Sequence, residues 1–281
     1  MTNPCSRRTV LKFAAMIFPA RILNLHETLT ENQTTDTGTA AQPIADTFPA
    51  QPHELVREMV TVSHFDLKRV RDLVDRQPSL SRAAWDWGFG DWETALGAAS
   101  HMGNRPIAEY LLLKGARPSL FSATMLGQLE VVKAFVAAQP GVQRTRGPHS
   151  ISLLAHAKAG GEAARLVFDF LQSLGDAGAD PEAPLSDAER SQILGTYIFG
   201  AGPTQQIDVT MEHNPFLKTD QLTWARKGAM GRPLYHLGKL AFYPAGASSV
   251  RIQFAPDTGG TVMTVNDPVP VMTVRRKPSL K

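Results

Sequence analysis

The chain has 281 residues, of which 43% are hydrophobic and 20% are charged. This composition is typical of a folded globular protein with about two domains. The formal net charge of +3 is too small to indicate nucleic-acid binding, and the single cysteine, Cys5, excludes an internal disulfide framework.

The first residues combine a basic pair with an apolar stretch. Ser6 to Lys12 reads Ser-Arg-Arg-Thr-Val-Leu-Lys, and an apolar run follows from Phe13 to Leu25. The heptapeptide resembles the twin-arginine export signal, which implies a leader over residues 1–27 and a periplasmic or otherwise extracytoplasmic protein. A basic tail without a targeting role is the alternative. The apolar run is too short and interrupted for a transmembrane helix, so we expect no stable membrane span in the mature form.

Two changes of pattern follow along the chain. Residues 28–53 are rich in Thr, Gln, Ala, Asp and Pro, which predicts a flexible linker. From Glu54 onward, apolar residues recur at helical spacing, which predicts pairs of short helices.

One of these pairs carries a recognisable motif. Thr94 to Ala99 reads Thr-Ala-Leu-Gly-Ala-Ala, Gly103-Asn104 follows at the predicted inter-helix turn, and Gly115-Ala116 ends the second helix. This pattern resembles one ankyrin repeat, whose motif is Thr-Pro-Leu-His-x-Ala. The resemblance implies an N-terminal α-solenoid of about four repeats over residues 54–180. It also implies that the protein binds a partner.

The C-terminal third changes from helix to strand. Ser186 with Glu189 predicts a capped connecting helix, and about eight short, partly alternating segments follow from Gly195 onward. Strands at this spacing favour an antiparallel β-barrel or sandwich. The predicted strands include residues 195–197, 207–211, 222–224, 234–236, 240–243, 250–254, 262–265 and 271–274.

Short motifs in this region occur in a fixed order. They are Gly195-Thr196-Tyr197, Leu222-Thr223-Trp224, Pro233 to Gly238, Phe242-Tyr243 and Arg275-Arg276. This order resembles the lipocalin-like β domain that is appended to some bacterial serine hydrolases of the β-lactamase type. The resemblance implies such a domain over residues 186–277, without a catalytic nucleophile. The predicted fold class is therefore α + β multidomain, with an N-terminal α-solenoid followed by an antiparallel β-barrel or sandwich.

The sequence lacks the short motifs of common catalytic sites. It has no Gly-x-Ser-x-Gly, no His-Glu-x-x-His and no phosphate-binding glycine loop. His101, His149 and His156 lie in the helical region, but none has the i, i+4 partner that places two metal ligands on one helix face. We therefore predict no catalytic residue, no metal and no cofactor.

The segment from Trp85 to Trp92 contains three of the four tryptophans of the chain. It lies between the first two helix pairs, where ankyrin proteins project their finger loops. Exposed aromatic residues often anchor interfaces, so we predict a partner-binding surface here, and capping of the helix stack is the alternative. The candidate residues are Trp85, Trp87, Phe89 and Trp92, with Arg144, Arg146 and His149 as a basic rim.

The predicted barrel offers a second candidate site. Closed barrels of about eight strands can hold one small ligand, although their interior can also be filled by side chains. The candidate pocket residues are Trp224, Tyr235, Phe242, Tyr243 and Phe254.

The expected function is that of an exported, non-catalytic protein that recognises a protein partner. One alternative is a protein that binds a small apolar ligand in the barrel. Another is a regulatory or scaffold subunit of a separate exported enzyme.

Overall fold

The structure is a computed structural model that describes residues 48–178, 182–214, 218–229 and 231–278. The predicted leader, the predicted linker up to residue 47 and Cys5 lie outside the described residues. The described residues from 50 onward form one compact unit of mixed α and β structure, with the helices first and most of the strands after them. No helix in the described ranges has both the length and the apolar character that a membrane span requires.

The helical part consists of four consecutive helix pairs, as the apolar periodicity predicts. The first helix of each pair contacts the first helix of the next, so that α1, α3, α5 and α7 pack in series, and α3 also contacts α7. Their bounds, with those of the second helices, are α1 His53–Val62, α2 Leu67–Arg76, α3 Ala95–His101, α4 Arg105–Leu113, α5 Leu120–Met125, α6 Leu129–Ala138, α7 Leu153–Ala159 and α8 Arg165–Leu174.

Local side chains explain where several helices begin. Thr94 accepts a hydrogen bond from the backbone N–H of Gly97 at the start of α3, and Ser152 does the same for Ala155 at the start of α7. Each bond satisfies an N–H group that has no partner within its own helix. Close packing also needs glycine: a Cβ on Gly127, whose φ is +77°, would lie 2.0 Å from the carbonyl oxygen of Ala163.

The aromatic segment forms a two-stranded antiparallel hairpin between α2 and α3. Its strands are β1 Ala84–Asp86 and β2 Trp92–Thr94, with Trp85 opposite Glu93. Gly88, Phe89 and Gly90 all have positive φ, which lets the chain reverse within the loop. The finger predicted at this position is therefore this hairpin.

The C-terminal part is a closed antiparallel barrel of eight strands, which decides between the barrel and the sandwich. Each strand pairs with its neighbour in sequence, and the last pairs with the first. The connecting helix α9, Asp187–Ile193, has the predicted capping box of Ser186 and Glu189. The strands are β3 Gly195–Ile198, β4 Gln206–Asn214, β5 Thr219–Arg226, β6 Arg232–Gly238, β7 Ala241–Pro244, β8 Arg251–Asp257, β9 Gly260–Asp267 and β10 Val269–Arg276.

Side chains fill much of the barrel interior. Tyr197, Phe242 and Phe254 are fully buried, and the rings of Tyr197 and Phe242 both contact that of Phe254. The hairpin reaches this core, because Phe89 packs against it and stacks on Trp224 at a centroid distance of 6.3 Å. The helical part and the barrel therefore share an interface at the hairpin.

Candidate metal centre

Three imidazoles and one carboxylate from separate elements converge beside the hairpin. His64 lies in the turn between α1 and α2, Glu93 on β2, His101 at the end of α3, and His149 in the loop before α7. Each offers one ligand atom, and these four atoms all lie within 4.8 Å of one another. The consecutive helix pairs and the adjoining hairpin pack together, and this packing brings these four groups close although they are far apart in sequence.

Distances around Glu93 are close to those of a metal site. Its Oε1 lies 2.9 Å from His101 Nε2, and its Oε2 lies 3.4 Å from the Nε2 atoms of His64 and His149. Tetrahedral zinc with bonds of about 2.0–2.1 Å holds its ligand atoms about 3.3 Å apart. Small side-chain movements would therefore suffice to place four ligands around one ion.

Further hydrogen bonds orient two of the imidazoles. His64 Nδ1 lies 3.1 Å from the carbonyl oxygen of Val60 and 3.0 Å from that of Thr61, and His149 Nδ1 lies 2.9 Å from Asp91 Oδ2. Carbonyl and carboxylate oxygens only accept, so both Nδ1 atoms carry a proton; Nε2 offers its lone pair to a metal only in the neutral ring, so metal binding releases any proton held there. Metal-binding histidines in proteins are commonly held in this way.

Glu93 is held equally firmly. Its side chain is completely buried, and Trp87 donates its indole N–H to Oε2 at 2.8 Å. A buried carboxylate without partners is costly, so this site depends on the groups around it.

The backbone is strained at His149, the fourth member of the cluster. His149 and Ser150 have φ values of 58° and 61°, a region that L-residues rarely adopt. Such conformations cost about 1–3 kcal/mol each and persist where surrounding contacts enforce them. Here the backbone N–H of His149 donates to Asp91 Oδ1 at 2.9 Å, so Asp91 holds both the backbone and the ring of His149.

The electrostatics favour a positive charge facing Glu93. Burial alone would raise the pKa of the Glu93 carboxyl, but hydrogen bonds from His101 and His149 outweigh it and hold that pKa well below its ordinary value. Burial lowers the pKa of His149, whereas hydrogen bonds to Asp91 and Glu93 raise it, and the balance lies at about 9. Burial lowers the pKa of His64 despite the attraction of Glu93.

The barrel supports the centre from the other side. Arg232 Nη2, on β6, donates to Asp91 Oδ2 at 3.2 Å and to the carbonyl oxygen of Trp87 at 2.9 Å. Gly246, after β7, donates its backbone N–H to Ser150 Oγ at 2.8 Å. Trp87, which contacts Glu93, and Asp91, which contacts His149, are thus anchored to the barrel.

The predicted partner-binding residues fall into different surroundings. Trp85 and Trp87 are partly buried against the helical core, Phe89 packs against the barrel core, and Trp92 is 64% exposed. Arg144 pairs with Asp176, and Arg146 donates a hydrogen bond to the carbonyl oxygen of Gly178. His149 belongs to the four-residue cluster, and the role of these residues in partner binding stays a prediction.

The predicted pocket residues of the barrel also fall into two groups with different surroundings. Trp224, Phe242 and Phe254 are buried in the barrel core, whereas Tyr235 and Tyr243 stack on each other at a centroid distance of 5.0 Å. Tyr235 and Phe242 line a cleft in the barrel wall.

Sequence reasoning missed His64, Glu93 and the supporting residue Asp91. The prediction of no metal rested on ligand spacing within one helix, and this criterion does not detect ligands contributed by four different elements. A usable signal was present, because His101 is the last residue of α3 and His64 lies just beyond the end of α1, the first helix of the adjacent pair. Helices that pack in series bring their corresponding ends close together.

Comparison with protein-family models and with curated proteins finds no match to this chain. The assignment of the centre therefore rests on its geometry.

Proposed function

We propose that this protein binds one divalent transition-metal ion of the zinc class through His64, Glu93, His101 and His149. The observation that carries the proposal is the convergence of these four ligand atoms within 4.8 Å. Imidazole nitrogen and carboxylate oxygen are both common zinc ligands, and four of them complete a tetrahedral shell.

The proposed role of the ion is structural. Catalytic zinc sites usually keep one position open for water or substrate, whereas structural sites use four protein ligands. Here the ion would join the α1–α2 turn, the hairpin, the end of α3 and the loop before α7. This role agrees with the prediction of a non-catalytic protein.

Metal titration tests this proposal. Protein stripped with a chelator should bind one zinc ion per chain by calorimetry, and cobalt should give the intense visible bands of four-coordinate geometry. His64→Ala and His101→Ala should each weaken zinc binding at least about tenfold and weaken the cobalt bands. His213→Ala is the control, because His213 is an exposed histidine on the barrel. Absence of zinc binding in the intact protein, or equal binding by all variants, would contradict the proposal.

The arrangement of the helices and strands also supports a proposal about family relationships. We propose that the four helix pairs are ankyrin-type repeats, since their first helices pack in series with a hairpin between two of them. We also propose a lipocalin-like relationship for the barrel, in which consecutive strands are neighbours. The twin-arginine-like start of the sequence supports export out of the cytoplasm.

A second candidate function is recognition of a protein partner, and exposed apolar residues favour it. Trp92 on the hairpin is 64% exposed, and α6 buries only Val132 while Val131 and Phe135 face solvent. A pull-down from the extracytoplasmic fraction with intact protein and with Trp92→Ser tests this role. Loss of a captured protein in Trp92→Ser, but not in the barrel variant Leu237→Ser, is the expected result. Equal capture by both variants would exclude Trp92 as an anchor.

A further inference from the structure

The barrel wall has a seam between β5 and β6. β4 and β5 pair continuously from Ile207 opposite Arg226 to Asn214 opposite Thr219. In contrast, β5 and β6 pair only at Thr223 with Pro233 and at Trp224 with Arg232. Beyond these two residue pairs, β5 and β6 do not pair with each other in the described residues.

The segment before α9 lies along the edge of β6 that β5 leaves unpaired. Ala183 donates its backbone N–H to the carbonyl oxygen of His236 at 2.9 Å, and the His236 Nδ1 lies 3.1 Å from the carbonyl oxygen of Ala183. This segment therefore supplies β6 with hydrogen bonds that β5 does not make.

A cleft of about 310 Å³ lies at this seam. Its apolar side chains include Leu222, Leu234 and Phe242, which also belong to the barrel core. Its polar and charged lining residues, besides His236, are Glu182, Arg190, Thr219, Asp220, Gln221 and Tyr235. The volume is at the lower end of the range of small-molecule sites, about 300–1,000 Å³.

His236 contributes a buried polar atom to the cleft. It lines the cleft, is only 4% exposed and stacks on Phe242 at a centroid distance of 4.7 Å. Because its Nδ1 donates to a carbonyl oxygen, the lone pair of the neutral ring lies on Nε2. This buried Nε2 has no hydrogen-bond partner in the part of the chain that the structure describes.

From these observations we infer that the seam between β5 and β6 binds a small aromatic molecule that carries one hydroxyl or N–H donor. The ring packs against Leu222 and Leu234, and the donor bonds to His236 Nε2. Buried polar atoms normally have partners, and such a ligand provides the missing one. The space along the barrel axis is less suited to bind such a ligand, because the side chains of Tyr197 and Phe254 fill it.

Two matched probes test the site on the full chain by calorimetry. 1-Naphthol carries the donor, and naphthalene has the same rings without it. His236→Asn keeps an amide donor for the Ala183 carbonyl and removes Nε2, so it should weaken 1-naphthol binding about three- to tenfold, the net effect of one hydrogen bond. Naphthalene binding should not change.

Two further variants keep the inference falsifiable. Leu222→Trp places a larger side chain in the cleft and should abolish binding of both probes, whereas Leu237→Ala, on an exposed position of β6, should change neither. Thermal unfolding of each variant verifies that the barrel is folded. The inference is overturned if intact protein does not bind 1-naphthol, if His236→Asn weakens both probes equally, or if Leu222→Trp binds as tightly as intact protein.

Discussion

At the scale of single residues, Glu93 determines the character of the candidate metal centre. Its carboxylate is fully buried and contacts three imidazoles and the Trp87 indole. A buried charge is tolerated only where opposite charge and hydrogen bonds offset its loss of hydration. Glu93 therefore acts both as a candidate ligand and as the acceptor around which the histidines are arranged.

Replacing Glu93 should affect both metal affinity and folding stability. Glu93→Gln removes the charge and one acceptor, so we expect weaker zinc binding and, in the presence of chelator, a loss of about 3 kcal/mol in the free energy of unfolding. Zinc titration and urea denaturation measure the two effects. Glu58→Gln is the matched control, because Glu58 pairs with Arg69 at a more exposed site, where ion pairs contribute at most about 1 kcal/mol. Equal stability of both variants would refute this role of Glu93.

At the scale of elements, the spacing of the helix pairs depends on glycine in the inter-helix turns. Gly103 and Gly127 have positive φ, and a Cβ at these positions would lie about 2 Å from the backbone oxygens of Ala159 and Ala163, both in the fourth pair. Glycine is therefore needed at these positions for two reasons: it adopts positive φ without strain, and it has no Cβ. His64 and His101, from the first and second pairs, lie side by side with their rings 4.9 Å apart.

A comparison of two glycines separates conformation from packing. Gly115 has φ +90° with nothing within 4 Å of an added Cβ, whereas Gly127 faces the Ala163 carbonyl oxygen. Gly115→Ala should lower the free energy of unfolding by about 1–3 kcal/mol through backbone strain alone. Gly127→Ala should lower it by clearly more, because steric overlap is added. Urea denaturation of both variants decides the matter, and equal losses would show that the turn glycine is not needed for packing.

At the scale of the whole molecule, the candidate metal centre lies where the helical part meets the barrel. Arg232 and Gly246 of the barrel bond to Asp91 and Ser150, and these residues hold His149 in its strained conformation. Ion binding and domain contact should therefore stabilise each other, since each restricts His149.

Removing the barrel contact should weaken metal binding at a distance. Arg232→Ala leaves all four candidate ligands in place but removes the cation that holds Asp91, so we expect a loss of zinc affinity of about 10- to 100-fold, as for other residues that support metal ligands. Zinc titration measures this change. Arg275→Ala serves as the control, because Arg275 pairs with Asp257 on an exposed face of the barrel. Unchanged affinity in Arg232→Ala would show that the barrel does not support the site.

Local structure was largely predictable, because its signals are contained in short stretches of sequence. The capping box of Ser186 and Glu189 and the eight strands of the barrel follow from neighbouring side chains and from alternation. The segment from Trp85 to Trp92 forms a hairpin between two helix pairs. Its surroundings were not predictable, because burial of Phe89 depends on a barrel that begins about a hundred residues later in the chain.

By itself, the sequence determined the order and type of the elements, since hydrophobic periodicity, caps and turn glycines act within a few residues of each other. It left open whether the strands form a barrel or a sandwich, and the closure of β10 on β3 decided this. Only the tertiary structure brought His64, Glu93, His101 and His149 to one point. The physical reason is that a metal centre depends on distances of a few ångströms between side chains, and those distances are set by how separate elements pack.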